Sequence, residues 1–429
     1  MSFLDTKFKL LVCFLYILGI LLQPSESVCS IDLRSAIMGK SPLLLHSGDN
    51  VLPDGTAFLL PRMNSVIATL HAGEEVEFLC AGASNKFNLS GDVRDVNYIQ
   101  GYCVSGSNFN LGQHSYSLDK ISCKEEVKSS VKDVGSCTGG SKRLQIGFSK
   151  PNNEFIKLID ICLKGSSLIP SYLNYTLVEG IDNRQMLEEV DNPDKTDYFN
   201  NLPNSMQYYY TCSNQQTIVG SILGSKAVAS QKIVCSDSSN YFVKVHLAPS
   251  SDFVYQQQQR SARYLINTIP MWESIANGNW QKLENEIRLY ASNISRESSD
   301  LIIYAGTLDV TTLPDNNRVQ KSIYLENNKL PVPQWVWKVV YEPQAREGIV
   351  FILVNNPYHL KFARCRCVCA QTKWTLGWNR QEKNKGYIYC CTVENFRNVY
   401  SALPQFEVTG LLKKDRPYNP IPVEIEPQK

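Results

Sequence analysis

The stretch Tyr241-Phe-Val-Lys-Val-His246 predicts a β-strand that runs into the turn Leu247-Ala-Pro-Ser-Ser-Asp252. Asn267-Thr-Ile-Pro-Met-Trp272 follows, and a helix after it carries Glu284 and Arg288. The helix is predicted because apolar residues recur at the spacing of one helical face: Trp280, Leu283, Ile287 and Tyr290. A histidine, an asparagine, a glutamate and an arginine delivered in this way suit metal-assisted phosphodiester hydrolysis. A core histidine and an ordinary ion pair between Glu284 and Arg288 explain the same residues.

Length and composition set the limits around this stretch. The chain has 429 residues, 43% of them hydrophobic and 20% charged, which suits two globular domains. The formal net charge is +2, so the molecule has no global positive field with which to hold nucleic acid. A site for a polyanion must therefore come from local clustering of basic residues.

The N-terminus predicts secretion. Lys7 and Lys9 precede an apolar run at residues 10–22, which is shorter than the roughly 20 residues that a membrane span needs. The pattern Ser25-Glu-Ser27 suits signal peptidase, so we expect residues 1–27 to be a signal peptide. The prediction is a secreted, extracellular protein without a membrane partner.

The cysteines agree with an oxidising compartment. Fourteen are present, and removal of the leader takes away Cys13 and leaves thirteen. An odd number implies a free thiol or an intermolecular bridge. Cys365, Cys367 and Cys369, with Cys390 and Cys391, lack the spacing of a zinc knuckle, which favours disulfides over zinc. Their connectivity cannot be read from the sequence.

The chain divides into segments of different pattern. Residues 28–140 show short apolar runs separated by turn residues, which predicts a small all-β domain stapled by cysteines. Residues 141–410 mix strands and helices, and residues 411–429 form a proline-rich tail that we expect to be extended and unpacked. Strands are predicted at 145–148, 176–178, 231–235, 241–245, 301–305, 334–341 and 349–354. The Gln256–Gln259 run is predicted to be helix surface. Glycosylation sequons at Asn88, Asn174 and Asn293 predict exposed loops or turns.

The quoted stretches, together with Cys390-Cys-Thr-Val-Glu-Asn-Phe396, resemble the DNA/RNA non-specific endonuclease family. The resemblance covers residues 141–410 and implies the ββα-metal fold, here an α+β domain that follows the β-rich domain of residues 28–140. Among secreted insect members with an additional N-terminal domain, the chain is most similar to the tsetse salivary, Tsal-type nucleic-acid-binding proteins. Saliva or gut is the usual setting of these relatives.

The resemblance implies site roles residue by residue. The family motif Asp-Arg-Gly-His, followed by Leu-Ala-Pro, makes His246 the general base. Asn267 matches the first asparagine of the site, Glu284 the glutamate that orients metal-bound water, and Arg288 the arginine that contacts phosphate.

Three positions depart from the family pattern. Lys244 stands where the family has arginine, and Val245 where it has glycine. The position of the metal-ligating asparagine is Ala276, and the neighbouring Asn277 is a possible replacement. We therefore expect weak or absent Mg²⁺ binding, with Asn267 and Asn277 as the candidate ligands.

A basic segment supplies a second candidate for nucleic-acid contact. Residues 359–391 carry a net charge of +6, and Lys373 and Arg380 are predicted to contact phosphate. Trp374, Trp378, Tyr387 and Tyr389 are interleaved with these cations and suit base stacking. A solvated, disulfide-tied loop region explains the same composition.

The preferred hypothesis is a secreted protein that binds DNA and RNA independently of sequence and has lost or weak hydrolysis. Metal and arginine stabilise chiefly the transition state, so their loss reduces cleavage more than binding. The alternative is an active Mg²⁺-dependent endonuclease. A third hypothesis is a secreted binder of host proteins that has abandoned nucleic acid. The sequence does not predict the oligomeric state.

Overall fold

The computed structural model describes residues 27–47, 57–61, 65–186, 202–224, 234–235, 240–293, 300–358 and 364–414. The predicted signal peptide lies outside them except for Ser27, as does the predicted strand at 231–235 except for its last two residues. No helix within these ranges is long and apolar enough to span a membrane.

The N-terminal region is built from ten short strands within the described residues. They are β1 (Val28–Asp32), β2 (Leu43–His46), β3 (Ile67–His71), β4 (Glu75–Leu79), β5 (Phe87–Leu89), β6 (Asp92–Arg94), β7 (Tyr98–Ser105), β8 (Asn108–Leu111), β9 (His114–Ser117) and β10 (Ile121–Cys123). A five-stranded sheet has the order β2-β4-β7-β8-β9, a second sheet the order β10-β5-β6, and β1 pairs with β3. Disulfides join Cys29 to Cys103 and Cys80 to Cys123. The region is β-rich and cysteine-stapled, as its pattern predicts.

The remaining strands belong mostly to one large sheet. They are β11 (Ser130–Cys137), β12 (Ser141–Ser149), β13 (Phe155–Leu163), β14 (Pro170–Leu177), β15 (Phe242–His246), β16 (Thr268–Trp272), β17 (Leu301–Val310), β18 (Thr312–Pro314), β19 (Gln320–Ser322), β20 (Tyr324–Glu326), β21 (Leu330–Pro331), β22 (Pro333–Glu342), β23 (Glu347–Val354), β24 (Ile388–Cys391) and β25 (Gly410–Leu411). The described part of the large sheet has nine strands in the order β11-β12-β13-β14-β17-β22-β23-β24, with β25 beside β23. The predicted strands at 145–148, 301–305, 334–341 and 349–354 are confirmed.

Short helices surround this sheet. The described α-helices are α1 (Leu33–Ala36), α2 (Met206–Tyr209), α3 (Cys212–Ile222), α4 (Gln256–Ser261), α5 (Glu273–Ile275), α6 (Gln281–Asn293), α7 (Cys369–Thr372) and α8 (Val393–Val399). The 3₁₀ turns are Leu118–Lys120, Thr138–Gly140, Pro151–Asn153, Glu179–Asn183, Ser250–Asp252, Leu265–Asn267 and Lys383–Lys385, and a π-helical turn spans Ala276–Trp280. The predicted amphipathic helix is α6. The α+β class is confirmed.

Both faces of the large sheet are covered by hydrophobic cores, as the residues of β22 illustrate. All ten of its residues are buried. Val336 and Val340 join the core that contains Leu283 and Ile287 of α6. Trp337 and Val339 belong to a second core with Phe396 of α8. Because side chains alternate along a strand, Lys338 shares the α6 face with Val336 and Val340.

Strand pairing crosses two of the predicted segment bounds. Strand β11 lies before residue 140 but pairs with β12, so it belongs to the large sheet. The tail also begins later than predicted, because β25 pairs with β23 and Leu412 is fully buried. Residues 415–429 lie outside the described residues.

The glutamine run is not helix surface. Gln256, Gln257, Gln258 and Gln259 are each 2 to 4% exposed. Backbone groups satisfy several of their amides. For example, Gln259 donates to the carbonyl of Gln185 at 2.8 Å. The prediction failed because a polar run without apolar periodicity favours solvent, whereas here amides of α4 bind backbone carbonyls elsewhere in the chain.

The cysteines form disulfides, as predicted. Six disulfides lie within the described residues, and Cys367 is a free, exposed thiol. The other four pairs are Cys137–Cys162, Cys212–Cys235, Cys365–Cys391 and Cys369–Cys390. This disulfide content fits an extracellular protein.

Two sequons do not lie in exposed loops. Asn88 is a half-buried residue of β5, and Asn174 is a half-buried residue in the middle of β14. Asn293 is the last residue of α6, and residues 294–299 lie outside the described residues, so its predicted exposure stays a prediction.

Candidate nucleic-acid site

His246 ends β15, where it pairs with Thr268 of β16 in an antiparallel hairpin. The residue is half-buried, and within the described residues its Nε2 atom has no hydrogen-bond partner. Burial, and then the charge of Lys244, lower the pKa of His246 from 6.5 to about 4, although a hydrogen bond to the backbone of Arg263 opposes the shift. The imidazole is therefore neutral near pH 7 and has a nitrogen that can accept a proton.

Lys244 lies two residues before His246 on the same face of β15, because strand side chains alternate. It is half-buried, and burial together with the charge of Arg263 lowers its pKa. Val245 points to the opposite face and packs against the core. Two cationic side chains, Lys244 and Arg263, thus lie near the imidazole and favour an anion there.

Asn267 has a structural environment. Its side chain is fully buried, and its amide group donates to the carbonyls of Ala248 at 2.8 Å and Ala262 at 2.7 Å. Its Oδ1 atom accepts from the backbone N–H of Ala248 at 3.0 Å. The amide fixes the backbone that follows His246. Its full burial and its three backbone hydrogen bonds argue against the predicted role of Asn267 as a metal ligand.

The turn that would carry the family's metal ligand is occupied by other contacts. Ala276 is 7% exposed and offers a methyl group. Asn277 is exposed, and its amide donates to Glu273 at 2.7 Å. Asn279 donates to the carbonyl of Gly386 at 2.7 Å, and a Cβ on Gly278 would lie 2.6 Å from the carbonyl oxygen of Lys385. The turn therefore holds the loop at residues 383–386.

Glu284 faces the sheet. Its carboxylate forms an ion pair with the ammonium group of Lys338 at 3.1 Å, with 11% of the Glu284 side chain and 1% of the Lys338 side chain exposed. Burial raises the pKa of Glu284, and the Lys338 charge opposes that shift. Lys338 also donates to the carbonyl of Leu247 at 3.1 Å. Through Lys338 the structure links Glu284 to the backbone directly after His246.

Arg288 lies in a second buried pair. Its guanidinium donates to Asp252 at 2.5 Å and also contacts Asn285. Tyr175 donates to the other oxygen of Asp252 at 2.5 Å. Only 9% of Arg288 is exposed, so its charge is largely committed within the protein. The predicted contact with phosphate needs an exposed guanidinium, which this geometry does not offer.

These donors do not fit a magnesium ion. The family is usually Mg²⁺-dependent. Within the described residues, however, no three His, Cys, Asp or Glu side chains converge on a metal position. Ala276, at the position predicted for the family ligand, offers no oxygen. The oxygen of Asn267 accepts from the backbone, and the NH2 group of Asn277 donates to Glu273. Mg²⁺ prefers oxygen ligands in near-octahedral geometry, which this arrangement does not supply.

The basic segment is partly available for contact. Its described basic residues are exposed or half-buried: Arg364, Arg366, Lys373, Arg380, Lys383 and Lys385. Arg364 pairs with Asp309, and Arg380 contacts the thiol of Cys367 at 3.6 Å. Lys361 lies outside the described residues.

The aromatic residues of this segment differ from one another. Trp374 and Tyr389 are buried core residues, which contradicts their predicted part in base stacking. Trp378 and Tyr387 are half-buried, and the ammonium of Lys282 lies 4.8 Å from the Trp378 ring centroid. Trp378 and Tyr387 are the two candidates for stacking that this segment retains.

Comparison with known proteins identifies the class. The model of the DNA/RNA non-specific endonuclease family matches residues 139–396, which is more than half of the chain. The chain therefore belongs to this family.

The individual relatives are insect salivary proteins. The chain is 27% identical to a "Salivary endonuclease" from Lutzomyia longipalpis over 86% of this chain and 82% of that protein. It is 23% identical to "Salivary protein Tsal2A" from Glossina morsitans morsitans over 90% of this chain and 94% of that protein. A solved structure of the EndoG/EndoGI complex covers 59% of this chain and 87% of that chain, at 13% identity and a TM-score of 0.36.

Lys338 and Asp252, the partners of Glu284 and Arg288, were not predicted as site residues. Lys338 is a lysine in the interior of an otherwise apolar strand, and that signal was present in the sequence. Asp252 ends the turn after His246, and its partners come from β14 and α6. Their pairing depends on sheet order, which residue spacing does not give.

Proposed function

We propose that this chain is a secreted protein that binds DNA and RNA without sequence preference and hydrolyses phosphodiesters weakly or not at all. The predicted leader, the disulfides and the salivary relatives support secretion. The family membership supports nucleic acid as the ligand. Binding through backbone phosphates would be independent of base sequence.

One observation carries the loss of hydrolysis. Ala276 stands where the resemblance puts the family's metal ligand, Asn267 is buried and bound to the backbone, and the side chain of Asn277 is held by Glu273. Metal stabilises charge that develops in the transition state, so its loss affects cleavage far more than binding. Arg288, tied to Asp252, is likewise a poor donor to a developing charge.

The remaining cations support binding. Lys244 and Arg263 lie beside His246, and Arg380 and Lys383 lie in the basic segment. Affinity that comes from several such phosphate contacts falls steeply with salt. This separates the proposal from a host-protein binder, whose affinity for nucleic acid would be absent.

Filter binding with plasmid DNA and with RNA tests the proposal. We expect an affinity that falls by at least about ten-fold between 50 and 200 mM salt. Plasmid digestion with and without Mg²⁺ tests hydrolysis. Strong Mg²⁺-dependent cleavage that His246→Ala abolishes would contradict the proposal, as would binding that hardly changes with salt.

An active Mg²⁺-dependent endonuclease is the second candidate. The name "Salivary endonuclease" of the Lutzomyia relative, which is aligned over 86% of this chain, favours it. The triple variant Lys244→Arg, Val245→Gly and Ala276→Asn discriminates between the candidates. An increase in cleavage by orders of magnitude would mean that the geometry is intact and the chemistry was lost. High activity in the unmodified protein would favour the second candidate.

A further inference from the structure

Lys338 is a charged residue in the interior of the core. It lies in the middle of β22, on the face that α6 covers, and 1% of its side chain is exposed. A lysine in such surroundings is rare unless its ammonium group has partners. The contacts of that group therefore indicate why the chain keeps a lysine at this position.

The ammonium group joins three parts of the site. It lies 3.1 Å from the Glu284 carboxylate, and it donates to the carbonyl of Leu247 at 3.1 Å. It also lies 3.4 Å from the hydroxyl of Tyr175, which itself donates to Asp252. The ring centroid of Trp280 is 5.1 Å away. Helix α6, strand β14 and the segment after His246 thus meet at one cation.

The backbone after His246 is held from two sides. Lys338 binds the carbonyl of Leu247, while the backbone N–H of Leu247 donates to the carbonyl of Asn267 at 2.9 Å. A side chain that fixes the residue after His246 also limits the orientation of the imidazole. The contact to Glu284 offsets a buried negative charge that would otherwise face the site.

We propose that Lys338 is a positioning residue of the nucleic-acid site, whose ammonium group holds both the carboxylate of Glu284 and the backbone that follows His246. It is the internal cation for Glu284, so this carboxylate does not need a bound metal. The inference rests on the proposed function, because it assumes that the site binds phosphate.

The variants Lys338→Met and Lys338→Met/Glu284→Gln test this role. The other charged and titratable groups that face the pair are Asp252, Arg288 and Tyr175, and both variants retain them. Without Lys338, burial and the charge of Asp252 raise the pKa of Glu284 further, and Arg288 is the charge that still opposes them. The folded protein then holds a proton that the unfolded chain releases above its pKa of 4.5, so stability falls as pH rises through the raised folded pKa. The series therefore runs from about pH 5 to about pH 8.

The measurements are urea unfolding and the Kd of a single-stranded oligonucleotide in EDTA, both across this pH range. For Lys338→Met we expect a loss of stability that grows with pH, and binding about ten-fold weaker at the upper end than at the lower, relative to the unmodified protein. The double variant has no carboxylate to titrate, so both pH dependences should disappear in it.

A loss that is equal at every pH and equal in both variants would mean that Lys338 merely fills space, and would overturn the inference. If Lys338→Met does not fold, a folded double variant supports it, and a double variant that also fails to fold contradicts it. If the unmodified protein does not bind the oligonucleotide, the proposed function fails, while the unfolding series still tests Lys338.

Discussion

His246 and Asn267 lie on neighbouring parts of the β15–β16 hairpin, but their side chains have different surroundings. The amide of Asn267 binds three backbone groups of the chain. The Nε2 atom of His246 meets no partner within the described residues. A fully satisfied amide stabilises the fold, whereas a buried nitrogen without a partner is open to a ligand. Family position alone does not separate these two roles.

Asn267→Ala should destabilise the protein strongly. The substitution leaves an N–H and two carbonyls without partners in a buried site, which costs about 3 kcal/mol of unfolding free energy. Asn277→Ala is the control, because that side chain is exposed and its loss should change stability by less than about 0.5 kcal/mol. Urea denaturation measures both. Similar, small losses would contradict the structural role of Asn267.

His246 should make the protein sensitive to acid. Its pKa is lowered to about 4 in the folded state, so the neutral form is favoured by folding. This contribution is fully present above the unfolded pKa of 6.5 and is lost as pH falls toward 4, by at most about 3 kcal/mol.

His246→Gln should therefore flatten the decline of stability between about pH 6.5 and about pH 4. His114→Gln is the matched control, because His114 is exposed in the N-terminal region. Urea unfolding at several pH values gives the comparison. If both variants keep the decline of the unmodified protein, His246 is not the group responsible.

At the scale of elements, the π-helical turn at Ala276–Trp280 packs against the basic segment and binds its backbone. Asn279 and Gly278 hold the backbone of Gly386 and Lys385. Lys282 of α6 covers Trp378 from the same side. This turn thus fixes a loop that carries cations.

Removing cations from this loop should reduce the salt dependence of binding. We expect the slope of log affinity against log salt, which is negative, to become shallower by about 1.5 in Arg380→Gln/Lys383→Gln. The control Arg94→Gln/Lys120→Gln removes two exposed charges from the N-terminal region. Filter binding at several salt concentrations measures both. Equal slopes for the two variants would exclude this loop as a phosphate contact.

Strands and helices with a clear hydrophobic periodicity were predicted well. Features that depend on contacts between residues distant in the sequence were not. The strands β17, β22 and β23 and the helix α6 followed from apolar runs or spacing. Helix α4 was predicted correctly as a helix, but its burial was not, since its glutamines show no apolar periodicity and the distant backbone carbonyls that Gln256 and Gln259 bind leave no local signal. The ion pair between Glu284 and Lys338 depends on the neighbourhood of α6 and β22, and spacing does not contain that information either.

At the scale of the whole molecule, Gln185 links the N-terminal region to the segment at residues 253–259. Its amide donates to the carbonyls of Arg34 at 2.9 Å and Ile37 at 2.7 Å in the N-terminal region. Its oxygen accepts from the backbone of Gln256 at 2.9 Å. The segment that it binds begins just after Asp252, so the N-terminal region is connected through Gln185 to the chain next to the site.

Gln185→Ala should loosen this junction. Loss of the shared hydrogen bonds leaves buried carbonyls unpaired and should lower the unfolding free energy by about 2 kcal/mol. Gln100→Ala, on an exposed position of β7, is the control and should change little. Differential scanning calorimetry measures both. Equal stability of the two variants would mean that the stability of the protein does not depend on this contact.

The adjacent cysteines of β24 protect the sheet from association with other molecules. Because β24 ends the order of the large sheet, its outer backbone would be open to a strand from a neighbouring copy. The bridges from Cys390 and Cys391 to Cys369 and Cys365 keep another part of the chain along that edge, where Val368 donates to the carbonyl of Cys390 at 2.9 Å. Reduction would uncover the edge, and turbidity from strand-to-strand aggregation should then precede loss of the core.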